Sequence, residues 1–432
     1  MAGPPTDPVA ASADLPAATS VVVVGGGIIG LSTALALAQR GVPVTVVEKG
    51  RFAGEQSSRN WGWVRRMGRD PRELPLAELS LQLWDNMAET VGRDVGFRRS
   101  GILYLCETDA DIARHEDWLA RAGTLAPGSR IIRGAELAAL LPGATRAYHA
   151  ALHTATDGRA EPQIAAPAIA VAAQAAGAVL VDGCAVERID TSGGRISGVL
   201  TEKGRIDCDI VVIAGGVWTT QLCRPLGLRL PQLGVRASVM RTAPVEGGPP
   251  GAAWGPHFAY RQRLDGGYTI ADGSRNIHDV GPDSFRYFRD FLPVLGLEWR
   301  NLRLGFGPAL LRGTGRHAQT RMLDPQPETP MLDRAFEALR KVFPAFEGVR
   351  IVQYWAGMID ATPDAIPVIS TVSSHPGLVL ATGFSGHGFG IGPAAGQLAA
   401  ELATGAMPSV DPTPFRYERF TDGSRPRPTT GV

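Results

Sequence analysis

Val21-Val22-Val23-Val24-Gly25-Gly26-Gly27-Ile28-Ile29-Gly30-Leu31-Ser32-Thr33-Ala34-Leu35-Ala36-Leu37-Ala38 is the stretch that decides the fold. Four β-branched residues read as a buried strand, the glycines as a turn, and the Leu- and Ala-rich run as a helix. Each glycine has its own role at this spacing. Gly25 permits the tight turn, Gly27 lets backbone N–H groups approach a pyrophosphate, and Gly30 lets the helix pack closely on the sheet. Gly41 ends the helix, and Val44–Val47 is a second buried strand that stops at Glu48. A carboxylate there stands where a ribose hydroxyl pair would be gripped, and its charge argues against a 2′-phosphate. Strand, turn, helix, strand and terminal acid together predict a dinucleotide site in a Rossmann-like α/β domain.

Further along, residues 164–181 are apolar except for Gln174 and approach the length of a membrane span. Pro167 interrupts the run and Gly177 divides it, so it reads as an Ala-rich helix followed by a short strand. Residues 186–190, 196–200 and 206–209, with a turn at Gly193-Gly194, read as a small β-meander. They lead into another buried strand, Ile210–Ile213, which leaves through Ala214-Gly215-Gly216 toward Trp218. Small residues at that exit let backbone lie against a cofactor, which makes Ala214, Gly215 and Trp218 candidates. Near the far end, Thr382-Gly383-Phe384-Ser385-Gly386-His387-Gly388-Phe389-Gly390-Ile391-Gly392-Pro393 precedes an Ala-rich segment. A glycine-rich loop that opens a helix through Pro at its first turn presents unpaired N–H groups and a positive dipole end. That end suits a cofactor whose reduced form is anionic, as reduced flavin is and reduced nicotinamide is not. No second G-x-G-x-x-G run is present, so no separate NAD(P)H site is expected.

Composition sets the outer bounds. A chain of 432 residues with a formal charge of +1 predicts two domains and shows no electrostatic footprint for nucleic acid or an anionic membrane surface. Lys49, Lys203 and Lys341 are its only lysines, so the basic groups are nearly all arginines with a planar donor fork. Cys106, Cys184, Cys208 and Cys223 are scattered, and His149 and His153 lack a third ligand, so neither a metal nor a disulfide framework is expected. No basic-then-apolar leader pattern opens the chain, and a cytoplasmic location is the expectation.

In this order the pieces resemble the D-amino-acid-oxidase-like family of FAD-dependent amine and amino-acid oxidoreductases, which includes glycine oxidases, sarcosine oxidases and D-amino acid dehydrogenases. Further marks are Gly54-Glu55-Gln56-Ser57-Ser58-Arg59-Asn60, Asp157-Gly158 before Glu161-Pro162, and Trp355-Ala356-Gly357 before Thr362-Pro363-Asp364 and Pro367. The resemblance implies a Rossmann-like FAD-binding domain (residues 18–92, 155–226 and 352–412) interleaved with a mostly antiparallel β-sheet substrate domain (93–154 and 227–351). Residues 1–17 and 413–432 would be flexible tails. It further implies that Gly27, Ile28 and Gly30 contact the pyrophosphate, Glu48 the ribose, and Val186 the adenine region. Ser57, Ser58, Arg59 and Asn60 would pass the isoalloxazine edge, with Gly386, His387, Gly388 and Gly390 at its pyrimidine end.

Three departures from the family pattern shape the functional expectation. Gly357 stands where monomeric sarcosine oxidases carry a flavin-linking cysteine, which implies non-covalent FAD. Tyr268-Thr269-Ile270-Ala271 lacks the lysine those enzymes use with oxygen, so the acceptor is open between oxygen and a quinone- or dye-like molecule. Met358-Ile359-Asp360 offers no carboxylate-binding arginine after Trp355-Ala356-Gly357. Arg65 and Arg66 are then the leading anchors for a substrate carboxylate, with Arg69, Arg261, Arg263 and Arg275 behind them, and Asp360 is the candidate for an ammonium group. Trp61, Trp63, Trp254, Tyr260, Tyr268 and Trp355 are candidates for an aromatic enclosure. The reaction expected is hydride removal from the carbon next to an amine nitrogen, followed by imine hydrolysis. A flavin monooxygenase fed by NAD(P)H, or a flavoprotein subunit of a larger dehydrogenase complex, is the alternative.

Overall fold

The computed structural model describes residues 3–273, 276–298, 302–305, 317–424 and 427–428. Arg275 lies outside the described residues. The decisive stretch forms strand Val21–Val24 and helix Ile28–Gln39, and Val44–Val47 pairs in parallel beside the first strand. Six strands make one sheet in the order Val368–Thr371, Leu378–Thr382, Ile210–Ile213, Val21–Val24, Val44–Val47, Val179–Val181. All neighbours run parallel except Val368–Thr371, which is antiparallel to Leu378–Thr382.

A strand with apolar residues at every position must be covered on both faces. Val21 and Val23 pack with helices Ile28–Gln39, Pro162–Ala175 and Gly388–Thr404. Val22 and Val24 pack instead with Val186, Ile189, Ile196, Val199 and Ile206 of the three-stranded meander. The run at 164–181 is therefore the helix and strand expected of it. No helix among the described residues is long and apolar enough to cross a membrane.

A second, mostly antiparallel sheet contains ten strands among the described residues. Its spine is Leu233–Thr242 paired with Ile351–Ala361. Helix Thr329–Val342 covers its outer face, burying Leu332, Phe336 and Leu339 against Tyr260, Tyr268, Phe343 and Phe346. The inner face meets the segment that follows the flavin-edge motif. There Arg261, 1 % exposed, donates to Glu161 Oε1 at 2.8 Å and to the Ala160 carbonyl at 3.1 Å. That buried pair bolts the second sheet to the start of helix Pro162–Ala175.

Two sequence expectations change. Residues 413–420 are packed rather than loose: Phe415 is buried, and Arg419 pairs with Asp364 at 3.0 Å inside the protein. At the start, the backbone N–H groups of Asp7 and Ser12 donate to Gln163 and Leu180 carbonyls. Composition marks such segments as polar and aperiodic, but a few anchoring side chains are enough to hold them. Helix Gly388–Thr404 also begins five residues before Pro393, which falls inside it. Pro393 leaves the Phe389 carbonyl without its i+4 donor, and the neighbouring Gly390 carbonyl accepts from Ser80 Oγ at 2.8 Å and Trp84 Nε1 at 2.9 Å.

Candidate functional site

The glycine turn opens onto a cleft of about 1160 Å³, surrounding solvent included. Gly25 adopts φ +113°, a region costly for any other residue, and a Cβ there would strike the Ala214 carbonyl. At Gly30 a Cβ would overlap the Gly25 carbonyl. Gly27 differs: the one atom within reach of an added Cβ is Ser57 Oγ at 3.0 Å, so this backbone faces the open cleft. Gly27, at the N-cap of helix Ile28–Gln39, has no side chain to cap it, and Ser57 Oγ takes only the first N–H, that of Ile28, at 2.8 Å. An uncapped helix start behind a glycine cradle is an anion site.

Glu48 closes the far wall. Its two oxygens accept from Gly26 N and Gly50 N, both at 2.7 Å, and its open side faces the cleft. Burial pushes its carboxyl up to about 7, against the pull of those two N–H donors. Ala214, Gly215 and Trp218 line the same cleft, as does Val186. The Val186 carbonyl, expected at the adenine, is 2.6 Å from His317 Nε2. The residues suit FAD: a pyrophosphate cradle, a ribose acid, and an enclosed acceptor without a partner among the described residues, Gln56 Oε1, on the cleft wall.

At the other end the cleft is lined by Asn60, Met358, Asp360, Phe384, Gly386 and Gly388. A Cβ at Gly357 would collide with Gln56 Oε1, so this position has no room for a side chain while Gln56 stays in place. Ser58 and Arg59 are buried behind the rim. The Arg59 guanidinium is spent on Asp324 at 2.7 Å and the Ala356 carbonyl at 3.0 Å, while Trp355 Nε1 donates to the Arg59 carbonyl at 3.0 Å. Both side chains therefore hold the rim in shape. Asp360 does the same for the glycine loop, its Oδ2 accepting from Gly383 N at 2.7 Å and from Phe384 N and Thr382 Oγ1 at 3.3 Å. Burial raises its carboxyl to about 6. Oδ2 is thus committed to the glycine loop, and Asp360 also lines the cleft, where the sequence expectation set an ammonium anchor.

Beyond Asn60 the chain turns into a cage. Trp61, Trp63 and Trp254 meet edge to face at 5.2–6.1 Å between ring centroids, and Tyr104 meets Trp254 at 5.1 Å. The Arg65 guanidinium lies 5.4–5.9 Å from the rings of Trp63, Tyr104 and Trp254. Gly390 fits against the Trp63 carbonyl, where a Cβ would come within 3.0 Å, so the cage abuts the first turn of the helix whose start lines the cleft. Arg69 lies behind Arg65 and is 4 % exposed, its backbone fixed by Trp118 Nε1 donating to its carbonyl at 2.8 Å. Its guanidinium has no hydrogen-bond or carboxylate partner among the described residues, and its Nε is enclosed. Burial, and then the charge of Arg65, lower its pKa to about 9. Nearby, His387 Nδ1 sits 2.9 Å from Glu73 Oε2, and burial, with Arg69 adding to it, drops the imidazole to about 4. His387 is therefore neutral and bound to Glu73.

Other candidates land elsewhere. Arg66 is consumed by Glu78, Thr156 and the Pro127 carbonyl, with Asp157 holding its backbone N–H at 3.0 Å. Tyr260 and Tyr268 point to the outer face, where Tyr260 packs 5.8 Å from the Phe343 ring. Strand alternation explains this: Arg261 and Thr269, which face each other across the hairpin, point inward, so their neighbours point out. Sequence reasoning missed Lys49, Glu55, Gln56 and His317 on the cleft wall and Tyr104 and Glu73 near the cage. Glu55 and Gln56 fall inside the Gly54 to Asn60 motif; the others carry no local pattern.

A family model described as "FAD dependent oxidoreductase" matches residues 20–402. Among curated relatives, a glycine oxidase of Pseudomonas putida is 28 % identical over 92 % of this chain and 98 % of its own length. The sarcosine oxidase subunit beta of Rhizobium meliloti is 25 % identical over 93 % of this chain and 88 % of its own. Among solved structures, L-amino acid deaminase from Proteus myxofaciens, in complex with anthranilate, is 33 % identical with a TM-score of 0.89, covering 98 % of this chain and 96 % of that one. L-proline dehydrogenase from P. horikoshii is 26 % identical with a TM-score of 0.77, covering 95 % of this chain and all of that one.

Proposed function

The chain belongs to the family of FAD-dependent oxidoreductases, and on that premise we propose that it oxidises the Cα–N bond of L-α-amino acids with large apolar or aromatic side chains, using non-covalent FAD. Residues 18–92, 155–226 and 352–412 form the cofactor domain in this reading, and 93–154 and 227–351 the substrate domain. When bound, FAD supplies the oxidant that takes two electrons and a hydrogen from the substrate.

The observation that carries the substrate reading is Arg69. Glu73 and Asp157 attract this guanidinium without pairing with it; a buried guanidinium lacking a direct partner is costly, and a carboxylate held by its fork offsets that cost with two charge-assisted hydrogen bonds. Arg65, with no carboxylate partner among the described residues, adds a second positive group at the same place. Two arginines also disfavour a protonated amine close by, which keeps the substrate nitrogen neutral as oxidation requires. Trp61, Trp63, Tyr104 and Trp254 offer apolar faces to the side chain and exclude water. The uncapped start of helix Gly388–Thr404 puts a positive dipole end at the cleft, favouring negative charge there. Support for the L series and for a carboxylate comes from the deaminase and proline dehydrogenase relatives, and anthranilate joins a carboxylate, a nitrogen and an aromatic ring.

The test compares L-phenylalanine with L-phenylalaninamide as reductants of the bound flavin, in wild type and Arg69→Met. Losing two charge-assisted bonds weakens the amino acid by roughly two to four decades, and the amide far less. Wild-type affinity for L-phenylalanine in Arg69→Met would remove Arg69 from the site.

A further inference from the structure

His317 is the one residue from 227–351 that lines the cleft among the described residues. It begins a stretch, 317–324, without helix or strand, laid along the adenosine end. Bonds to the cleft rim set its position. His317 N donates to Gln221 Oε1 at 3.1 Å, and Lys49 Nζ donates to the Thr320 carbonyl at 2.6 Å. Arg321 grips Glu202 with two bonds of 2.6 Å and reaches the Lys49 carbonyl at 3.3 Å. Leu323 N donates to Glu55 Oε1 at 2.9 Å, and Asp324 takes the Arg59 guanidinium. Lys49, Glu55 and Val186 all line the cleft, so the stretch is fastened to the walls of the cofactor site itself.

We propose that residues 317–324 form a third wall of the cofactor site, a clamp on the adenosine half of FAD that sets how fast FAD leaves and favours it over a flavin lacking adenylate. The glycine cradle and Glu48 grip the diphosphate and ribose from one domain; this wall comes from the other. His317 brings chemistry as well as cover. With its Nε2 hydrogen donated to the Val186 carbonyl, Nδ1 is left as an acceptor with no partner among the described residues, of the kind an exocyclic adenine amine uses. Release of FAD then requires the wall to lift, and lifting it breaks the Arg321–Glu202 fork together with the bonds from Lys49 and to Glu55.

The experiment measures FAD release from the loaded protein, by the rise in flavin fluorescence on dilution, and the affinities of the cofactor-free protein for FAD and FMN. Variants are His317→Ala, Arg321→Ala, Glu202→Ala and the exchanged pair Arg321→Glu with Glu202→Arg. Arg321 is on the surface, and its replacement spares the core, whereas Glu202 also accepts from Ala185 N at 2.7 Å, so Arg321→Ala is the cleaner single variant. Each single variant is expected to release FAD about fivefold faster or more, the scale of one well-formed bidentate pair. The preference for FAD over FMN falls accordingly, and the exchanged pair returns release to within about twofold of wild type. Unaltered release in Arg321→Ala, an exchanged pair no slower than the single variants, or a parallel loss of FMN affinity overturns the proposal.

Discussion

In the proposed cofactor site Gly27 and Glu48 have different tasks, and they are expected to fail differently. Gly27→Val would put a side chain into the cleft beside Ser57, whereas Glu48→Ala would remove the acceptor proposed for the ribose. The first is expected to leave the protein without FAD, and the second to weaken binding by roughly one to two decades. Both are read by flavin content after gel filtration and by titration of the cofactor-free protein. Because Gly357 has no thiol with which to bond a flavin, acid precipitation should release all the yellow colour, with no flavinyl peptide after proteolysis. The turn around Gly27 was legible in the sequence because backbone crowding at Gly25 and Gly30 dictates glycine locally. Arg69 was only one arginine among several, since burial without a partner is a property of the folded chain. Arg66 looked equivalent to Arg65 until the fold placed Glu78 and Thr156 on its fork.

Among the elements, the glycine loop before helix Gly388–Thr404 depends on Asp360. Its carboxyl is raised to about 6 by burial, above the 3.8 of an unfolded aspartate. The folded state therefore binds the proton more tightly, and the stability this gives is fully present below pH 3.8 and is lost as pH rises through 6. Asp360→Asn does not titrate yet keeps an acceptor for Gly383 N. Relative to wild type it should gain stability between pH 5 and pH 7.5, as read from urea midpoints. A constant difference across that range would remove the linkage. The helices and parallel strands were readable from periodicity and glycine punctuation, but the start of this helix was not. Pro393 looked like a first-turn residue, whereas the helix starts five residues before it, held at Gly390 by Ser80 and Trp84, side chains far away in the sequence.

At the scale of the whole molecule, the two sheets are joined by Arg261 and Glu161, a contact that no motif announces because its partners lie 100 residues apart. Glu161 also takes Leu264 N at 2.9 Å, so Glu161→Ala leaves a buried guanidinium and a backbone donor unpaired. A loss of about 3–5 kcal/mol is expected from chemical unfolding of the FAD-loaded protein. Thr269, on the strand where the resemblance to monomeric sarcosine oxidases would imply a lysine, takes a bond from Arg261 Nη2 at 3.2 Å, and that arginine is already paired with Glu161. Reduced enzyme is accordingly expected to reoxidise faster with a quinone or dye than with air; equal rates in stopped flow would contradict this. The measurement that tests the central claim most directly is anaerobic titration of the FAD-loaded protein with L- and D-phenylalanine, following flavin absorbance, ammonia and 2-oxo acid. Bleaching by the L isomer, with ammonia and 2-oxo acid released in step, is the predicted result; bleaching by NAD(P)H with no response to any amino acid would contradict it.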